Sequence, residues 1–377
     1  MNVPYLDLSR ARLRIATELA GRWQRVLESS AYVLGPEVRE FEAAFASYLG
    51  VSACVGVANG TDALLLALRA LKVKAGDEVI LPAFSFFATA EAVLLAGAVP
   101  VFADIDATTY NLDPAAAEAR VTSRTVGIIG VHLYGRPFDV DAVNAVCSRH
   151  GLWLLEDAAQ AQGASYHDRK VGGLGTLAAW SFYPTKNLGC YGDGGAVTGN
   201  DVALVDRVRR IANHGQTSRY HHVELGTNSR LDSLQAAVLN CRLPLLDGDN
   251  QRRRELACRY HGGLREVSEI TLPVDAPGSF AVYHQFTIST DRRDELQHDL
   301  AERGIGSSVH YPSALDRQPA LGGSADRATC EIAARAADQV LCLPLYAELR
   351  DDEVAAVCAA VSAFFAKAKV EVNALAG

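Results

Sequence analysis

The sequence predicts an α/β protein with a mostly parallel central sheet, followed by a smaller α+β domain. Between about residues 50 and 245, short and almost entirely apolar runs alternate with helical patterns, as in parallel sheets that helices cover on both faces. Beyond Leu245 this alternation stops. The chain of 377 residues is long enough for two domains. We therefore expect a large α/β domain at residues 1–245 and a small C-terminal domain at residues 246–377.

The strands and helices of the large domain are predicted in chain order. The runs that predict strands are "ACVGVA", "DEVILP", "VPVFAD", "TVGIIGVH", "LWLLED", "AAWSFY" and "GAVTG". The segments that predict helices between them are "TDALLLALRAL", "ATAEAVLLAG", "DVDAVNAVCSRHG" and "DVALVDRVRRIANHG". Ligands of such sheets bind where the strands end. The residues expected at strand ends are Asn59, Asp104, His132 and Asp157.

The C-terminal pattern is different. A strand pattern, "YHQFTIST", precedes the helical "RRDELQHDLAERG", then the segment "IGSSVHYP", and the chain closes with the helical "DDEVAAVCAAVSAFFAKAK". This mixture predicts the smaller α+β domain.

The composition and charge of the chain argue against several classes of protein. The net charge is −8 and the one basic cluster is Arg252–Arg254, which argues against a nucleic-acid partner. The eight cysteines form no Cys-x-x-Cys pair, which argues against a zinc site and suits free thiols in a reducing cytoplasm. The first residues lack the apolar stretch of a signal peptide, and the longest apolar run contains Glu91. We expect a cytoplasmic protein without a membrane or metal partner.

A phosphate site is one interpretation of "NGTDALLLAL". Gly60 and Thr61 stand where a strand turns into a helix, and a helix start offers unpaired N–H groups and the positive end of the helix dipole. The alternative is that Thr61 only caps the helix.

A carboxylate and an amine accompany that helix start. Asp157 ends the apolar strand of "WLLEDAAQAQGA", where a carboxylate needs a partner; a helix cap and a cationic ring nitrogen are the two alternatives. Lys186 lies in "SFYPTKNLGCYGDGGA", either as a surface lysine or as a desolvated amine that can act as a nucleophile. A phosphate cup, a buried carboxylate and an amine together match pyridoxal 5′-phosphate.

These segments resemble one aminotransferase family. "ANGTDALLLAL", "PAFSFFATAEAV", "EDAAQAQGA", "SFYPTKNLGCYGDGGA" and "GTNSRLDSLQAA" look like motifs of the DegT/DnrJ/EryC1/StrS family, in its order and over nearly the whole chain. The resemblance implies the aspartate aminotransferase fold (fold type I), a homodimer with shared active sites, and amination of keto-sugars linked to dTDP or UDP. It also implies pyridoxamine 5′-phosphate as the second form of the cofactor and glutamate as the amino donor. The "PTKNLG…GDGGA" form resembles members that act on carbon 3 of the sugar.

The resemblance implies a role for each matching residue. Lys186 would join the cofactor aldehyde and move protons, and Asp157 would pair with the pyridine nitrogen. The other implied cofactor contacts are Gly60, Thr61, Asp62 and Ser181 at the phosphate, Gln160 at the ring hydroxyl, Phe86 stacked on the ring, and Asn228 at the phosphate of the partner subunit. The implied substrate contacts are Tyr183, His214, Arg230, His310 and Tyr311.

Several alternatives stay open at this point. Phe86 could be a core residue, Arg230 could brace a dimer, and His214 could be structural. Leu315-Asp316 stands where the family often has Leu-His, which removes one expected histidine contact. A cyclitol or another ring ketone could replace the nucleotide sugar, and a non-catalytic sensor could retain the fold. A dehydratase on this fold would carry histidine in place of Lys186.

Overall fold

The computed structural model describes residues 2–322 and 330–376, and the side chains of its last helix as far as Lys367. Its strands, in chain order, are β1 Ala53–Val57, β2 Glu78–Pro82, β3 Val99–Ala103, β4 Thr125–Val131, β5 Trp153–Asp157, β6 Ser165–Tyr166, β7 Arg169–Lys170, β8 Leu177–Ser181, β9 Gly195–Gly199, β10 Gln216–Ser218, β11 His221–His222, β12 Ser279–Phe280, β13 Phe286–Ser289 and β14 Val340–Leu343. Its α-helices are α1 Leu8–Leu13, α2 Ala16–Ser29, α3 Pro36–Leu49, α4 Gly60–Ala70, α5 Ala88–Leu95, α6 Pro114–Glu118, α7 Val140–His150, α8 Val202–Ala212, α9 Ser233–Arg242, α10 Leu246–Leu264, α11 Arg293–Glu302, α12 Glu331–Gln339 and α13 Asp351–Ala376.

The central sheet has seven strands in the order β1-β9-β8-β5-β4-β2-β3. Strand β9 runs antiparallel to both of its neighbours, and the pairs from β8 to β3 are parallel. The carboxyl ends of all strands except β9 therefore lie along one edge of the sheet. The predicted mostly parallel sheet is confirmed.

Apolar side chains explain why this sheet is covered on both faces. Helix α4 is buried on several sides, with Ala63, Leu66 and Leu68 fully inaccessible, because it packs against α5, α8 and the sheet. On the opposite face, Phe138 approaches Gly130 of β4 so closely that a Cβ on this glycine would lie 2.3 Å from the ring. Larger residues at position 130 would push the ring away from the sheet.

The C-terminal residues form a core of their own. Strands β13 and β14 pair antiparallel, and Leu256, Leu300 and Val357 from α10, α11 and α13 pack together beside them. Val3 belongs to the same core, so the start of the chain packs on this domain. The domain boundary at residue 245 stays a prediction. The segment "IGSSVHYP" contains isolated bridges rather than a strand.

The described residues, 2–322 and 330–376, form neither a helix that could cross a bilayer nor a cluster that could hold a metal ion. In that part of the chain, no helix combines the length and the apolar character needed to cross a bilayer. Over the same residues, no group of three or more His, Cys, Asp or Glu side chains is placed to hold a metal ion.

Candidate active site

A strand end and a helix start form one wall of the site. Asn59 follows β1 and caps α4, with its Oδ1 accepting a hydrogen bond of 2.8 Å from the N–H of Asp62. The expected alternative, in which Thr61 caps the helix, is therefore wrong. The N–H groups of Gly60 and Thr61 have no partner inside the helix, as at any helix start. They remain available for an anion at the positive end of α4.

Ser181, the last residue of β8, closes the same cup. A Cβ on Gly60 would lie only 2.7 Å from the Cβ of Ser181, so only glycine lets the helix start approach the serine this closely. The Ser181 hydroxyl accepts a weak 3.3 Å hydrogen bond from the N–H of Tyr183. Gly60, Thr61, Asp62 and Ser181 are thus brought together, as the resemblance implies, in an arrangement that fits a phosphate.

Asp157 is a buried carboxylate that lacks an ion pair with any described residue. It ends β5, and its side chain accepts hydrogen bonds from Thr89 Oγ1 at 2.9 Å and from the N–H of Ala159 at 3.2 Å. Burial raises the pKa of Asp157, against the opposing effects of Thr89, Ala159 and Lys186. A buried anion held this way is stabilised by a cationic partner, such as a protonated ring nitrogen.

Lys186 supplies the amine. It lies in the loop after β8, and burial lowers the pKa of its side chain to about 8, although Asp157 acts in the opposite direction. About a tenth of the amine is therefore neutral and nucleophilic at pH 7, far more than for an exposed lysine with its ordinary pKa. The charge of each group acts on the pKa of the other, so the Lys186 amine and the Asp157 carboxylate belong to one site.

Gln160 and Tyr311 connect this site to the C-terminal domain. The amide of Gln160 accepts a 2.6 Å hydrogen bond from the N–H of Tyr134 and donates one of 3.1 Å to the Tyr311 hydroxyl. Tyr134 in turn donates through its hydroxyl to the carbonyl of His310. Burial and then Lys186 lower the pKa of His310 to about 4. His310 and Tyr311 are therefore close to the cofactor residues, as implied.

Phe86 is an exposed aromatic residue, so the alternative that it belongs to the core is wrong. Its side chain is 57% exposed, and its ring centroid lies 5.8 Å from that of Tyr311. A ring that is exposed beside a buried polar site is available for stacking on a planar ligand. Tyr183 is exposed in a similar way, at 52%.

Three residues for which the resemblance implies cofactor or substrate contacts belong to residues 214–230, apart from the segments that carry Lys186 and Asp157. Asn228 and His214 are exposed, and Arg230 donates a 3.1 Å hydrogen bond to Asn213 Oδ1. Arg230 lines a cavity of about 480 Å³ that includes neither Lys186 nor Asp157. Among the described residues, no hydrogen bond or ion pair joins these three residues to Lys186 or Asp157.

Asp316, which stands where the family often has a histidine, does not place a charge beside Lys186. The Asp316 carboxyl is buried and has Oδ1 without a partner among the described residues. Burial raises the pKa of this carboxyl, with Arg317 and Asp104 as the charged neighbours. Asp104 itself binds the start of α12, accepting hydrogen bonds from Ile332 and Ala333.

Glu156, the carboxylate next to Asp157 in β5, is held in place by hydrogen bonds within the protein. It is inaccessible and accepts hydrogen bonds from the N–H groups of Gly172, Leu174 and Gly175 and a 3.1 Å contact from His132 Nε2. These contacts lower the pKa of Glu156 although burial opposes them. His132 therefore supports the back of the sheet through Glu156, and its backbone N–H donates a 3.0 Å hydrogen bond to the carbonyl of Asp157.

Sequence reasoning missed three residues of the site: Thr89, Tyr134 and His284. Thr89 binds Asp157 from the first turn of α5, inside a segment already singled out for Phe86. Tyr134 has the left-handed φ of 60°, and its position beside Gln160 depends on that turn. His284 contacts Asn187 across 97 positions in the chain, a separation that no local pattern reveals.

Comparison with known proteins identifies relatives along the whole chain. Residues 14–362 match the DegT/DnrJ/EryC1/StrS aminotransferase family. The UDP-2-acetamido-2-deoxy-3-oxo-D-glucuronate aminotransferase of Pseudomonas aeruginosa is 44% identical over 96% of this chain and 99% of the relative. The dTDP-3-amino-3,4,6-trideoxy-alpha-D-glucose transaminase of Streptomyces venezuelae is 46% identical over 95% of each chain.

A solved structure agrees with these matches. The crystal structure of S. venezuelae DesV in complex with a ketimine intermediate superposes with a TM-score of 0.94 at 45% identity, covering 97% of this chain and 98% of that one. The expected resemblance and the expected fold are both confirmed.

Proposed function

Because the chain belongs to the DegT/DnrJ/EryC1/StrS aminotransferase family, we propose that it transfers an amino group from glutamate to carbon 3 of a keto-sugar linked to dTDP or UDP. The observation that carries this proposal is an amine with a lowered pKa, Lys186, beside a buried carboxylate, Asp157, that forms no ion pair with any described residue. Relatives that share more than two fifths of the sequence act on sugars linked to UDP and dTDP, according to their names.

The enzyme uses pyridoxal 5′-phosphate, and the site residues fit this group. When bound, the cofactor supplies an aldehyde for an amine and a ring that accepts electrons. Gly60, Thr61 and Ser181 would hold its phosphate at the start of α4, and Asp157 would hold a protonated ring nitrogen. Gln160 would contact the ring hydroxyl, and Phe86 would cover one face.

The protein residues supply the proton transfers. With a pKa near 8, the Lys186 amine can accept a proton from the carbon that bears the amino group and return it in the next step, as a general base and then an acid. Burial raises the pKa of Asp157, and the hydrogen bonds that Thr89 and Ala159 donate to the carboxylate oppose this by favouring its charged form. The site therefore combines a lysine amine that can take up and release a proton with a carboxylate held in a fixed position.

The substrate assignment predicts a clear preference for ring position. The purified enzyme should convert dTDP- or UDP-linked 3-keto sugars into 3-amino sugars with glutamate, and it should convert the matched 4-keto isomers at least about 100-fold less efficiently, since a misplaced ketone loses its alignment with the amine. Mass spectrometry and NMR of the product check the position. An inosose is the control for the cyclitol alternative. Faster turnover of the inosose or of the 4-keto isomer would contradict the assignment.

We further propose that the enzyme works as a homodimer with shared sites. Asn228 is exposed in its own chain. The same segment exposes apolar side chains to an unusual degree for a soluble surface, with Tyr220 at 78% and Leu225 at 86%. A partner subunit that covers these residues would bring Asn228 to the phosphate cup of the other chain.

Mixed dimers test the shared site. Lys186→Ala and Asn228→Ala chains should each be poorly active, and mixing them should restore part of the activity, because one of the two sites in a mixed dimer carries neither defect. Remixing each variant with itself is the control. An impaired Asn228→Ala parent that gives no gain on mixing would mean that Asn228 serves its own chain.

We also propose that the enzyme is cytoplasmic. All eight cysteines are free, and seven of them are buried, which suits a reducing compartment.

A further inference from the structure

The first residues of the chain are fastened to a segment of the C-terminal domain. The N–H of Val3 donates a 2.9 Å hydrogen bond to the carbonyl of Gly304, and its carbonyl accepts one of 2.8 Å from the N–H of Gly306. A Cβ on Gly306 would lie 2.5 Å from the backbone nitrogen of Tyr5, so only glycine lets the two segments approach this closely. These contacts fix the position of Tyr5 relative to the residues that follow Gly306.

The ring of Tyr5 lies beside the imidazole of His310. The two ring centroids are 6.1 Å apart, and the ring planes differ by 29°. The ring of Tyr311 meets the same imidazole at 5.5 Å and nearly at a right angle, and Phe86 lies 5.8 Å beyond Tyr311. A row of aromatic rings therefore runs from Tyr5 to Phe86, the residue that we expect to cover the cofactor.

Hydrogen bonds hold the backbone of His310, whereas its ring has none within the described residues. The Tyr134 hydroxyl donates to the carbonyl of His310, and Gln160 donates to the hydroxyl of the next residue, Tyr311. By contrast, Nδ1 of His310 is inaccessible and has no hydrogen-bond partner among the described residues. The orientation of the imidazole therefore depends on the rings that pack against it, those of Tyr5 and Tyr311.

The orientation of this ring decides whether His310 can contact a ligand. An imidazole has two nitrogens with which it can form hydrogen bonds. Because Nδ1 of His310 is inaccessible, Nε2 is the nitrogen that is left for a substrate. Rotation of the ring about the Cβ–Cγ bond would move Nε2 away from that position, so a fixed ring is needed for a specific contact.

We propose that Tyr5 is a positioning residue, whose ring holds the His310 imidazole in the orientation in which Nε2 contacts the bound nucleotide sugar. This inference rests on the proposed function, in which the sugar is the substrate of the second half-reaction. The first residues of the chain thereby contribute to recognition of the sugar, although the other proposed contacts lie more than fifty residues further along. Glutamate, the substrate of the first half-reaction, does not depend on this contact.

A purely structural role for Tyr5 makes a different prediction. Tyr5 would then only add apolar surface that fastens the first residues to the core against which it packs. Leucine could replace it, and any other loosening of the same segment would have the same effect. Val3 offers the matched control, because its side chain is fully inaccessible in the same segment and belongs to the core of the C-terminal domain.

The first measurement is the rate at which diethyl pyrocarbonate labels His310 in the full-length, cofactor-loaded protein, followed by mass spectrometry of its peptide. Tyr5→Leu removes the ring, so the uncovered imidazole should react about three- to tenfold faster, the effect of one aromatic pair on an equilibrium. Tyr5→Phe keeps the ring and should leave the rate unchanged. Val3→Ala should lower the unfolding temperature, because it leaves a cavity in a core, without changing the rate.

The second measurement follows the two half-reactions separately through the absorbance of the cofactor. With glutamate alone, all three variants should react as fast as the unmodified protein. With a dTDP-linked 3-keto sugar at low concentration, Tyr5→Leu should react about three- to tenfold more slowly, and Tyr5→Phe and Val3→Ala should react normally. A residue that only supports the fold would affect both half-reactions alike.

The outcome is decided by the comparison of leucine with phenylalanine at position 5. Faster labelling and a slower sugar half-reaction in Tyr5→Leu alone support the proposal. It is overturned if Tyr5→Leu and Tyr5→Phe agree in either measurement, if Val3→Ala matches Tyr5→Leu, or if the glutamate half-reaction slows as much as the sugar half-reaction. If the unmodified protein aminates no nucleotide sugar, the proposed function fails, and the labelling rates alone decide whether Tyr5 orients His310.

Discussion

Lys186→Ala should reduce transamination by at least about 10³-fold while the protein still binds pyridoxal 5′-phosphate. The loss combines the nucleophile with the group that moves the proton, each of which contributes orders of magnitude in such reactions. Binding should survive because the start of α4 and Ser181 lie on other parts of the chain and need no covalent bond to hold a phosphate.

Borohydride reduction measures the covalent link directly. In the unmodified protein, the reduced cofactor should be attached to the peptide that contains Lys186, and the visible absorbance of the bound cofactor should disappear. In Lys186→Ala, the cofactor should stay removable by dialysis after the same treatment. If the labelled peptide does not contain Lys186, the assignment of Lys186 as the residue that binds the cofactor covalently is wrong.

Two further variants separate charge from chemistry. Lys186→Arg keeps a positive charge facing Asp157, but a guanidinium does not give up its proton in this pH range, so its activity should fall as far as that of Lys186→Ala. Lys74→Ala removes an exposed lysine far along the chain and should leave activity unchanged. Substantial activity in Lys186→Arg would mean that charge, rather than a mobile proton, is what the site requires.

The central sheet could be predicted from sequence because its strands are buried on both faces. Runs such as "TVGIIGVH" and "LWLLED" differ from the observed β4 and β5 by one residue at an end, since nearly every residue of such a strand must be apolar. The position of Asp157 follows directly, because it ends both the predicted run and β5, whereas Ser181 ends β8 two residues before the predicted run "AAWSFY" does.

Other features depend on backbone geometry that composition does not reveal. Asn59 and Thr61 are both common capping residues, and the extended backbone of Asn59, with φ −165° and ψ 177°, decides that it is the cap. Tyr134, whose N–H donates a hydrogen bond to Gln160, adopts a left-handed conformation although it is not glycine. A sequence pattern gives no reason to expect such a conformation at a tyrosine.

The contacts between distant segments were the least predictable part of the site. His284 and Asn250 reach Asn187 from two segments beyond residue 245, and each could equally have been a solvated polar residue. Their roles depend on how the C-terminal domain packs against the loop after β8. Periodicity within one element carries no information about that packing.

Asp157→Asn should reduce turnover by about 10² to 10³-fold, the range measured when a fixed electrostatic contact at a reacting centre is removed. Asparagine keeps the size of the side chain and can still interact with Thr89 and Ala159, but it carries no charge. The ring nitrogen of the cofactor then loses the anion that keeps it protonated, while the phosphate cup remains. Steady-state kinetics together with cofactor titration measure both effects.

Thr89→Val provides the matched control. It removes the 2.9 Å hydrogen bond to Asp157 and keeps the carboxylate, so its turnover should fall by about tenfold, the effect of one hydrogen bond to a charged group. If Thr89→Val and Asp157→Asn lose activity equally, the hydrogen-bond network rather than the charge of Asp157 would be the important feature.

Stability of the cofactor-free protein separates a functional carboxylate from a structural one. Burial raises the pKa of Asp157 in the folded state, so the folded protein favours the protonated form, and the stability that this group contributes is lost as the pH rises through the folded pKa. At pH 7 the ionised side chain therefore opposes folding. Asp157→Asn should unfold at the same temperature as the unmodified protein or at a higher one, although its activity is lost. Near-normal turnover with a lowered unfolding temperature would instead mean that Asp157 only caps the turn at Ala159.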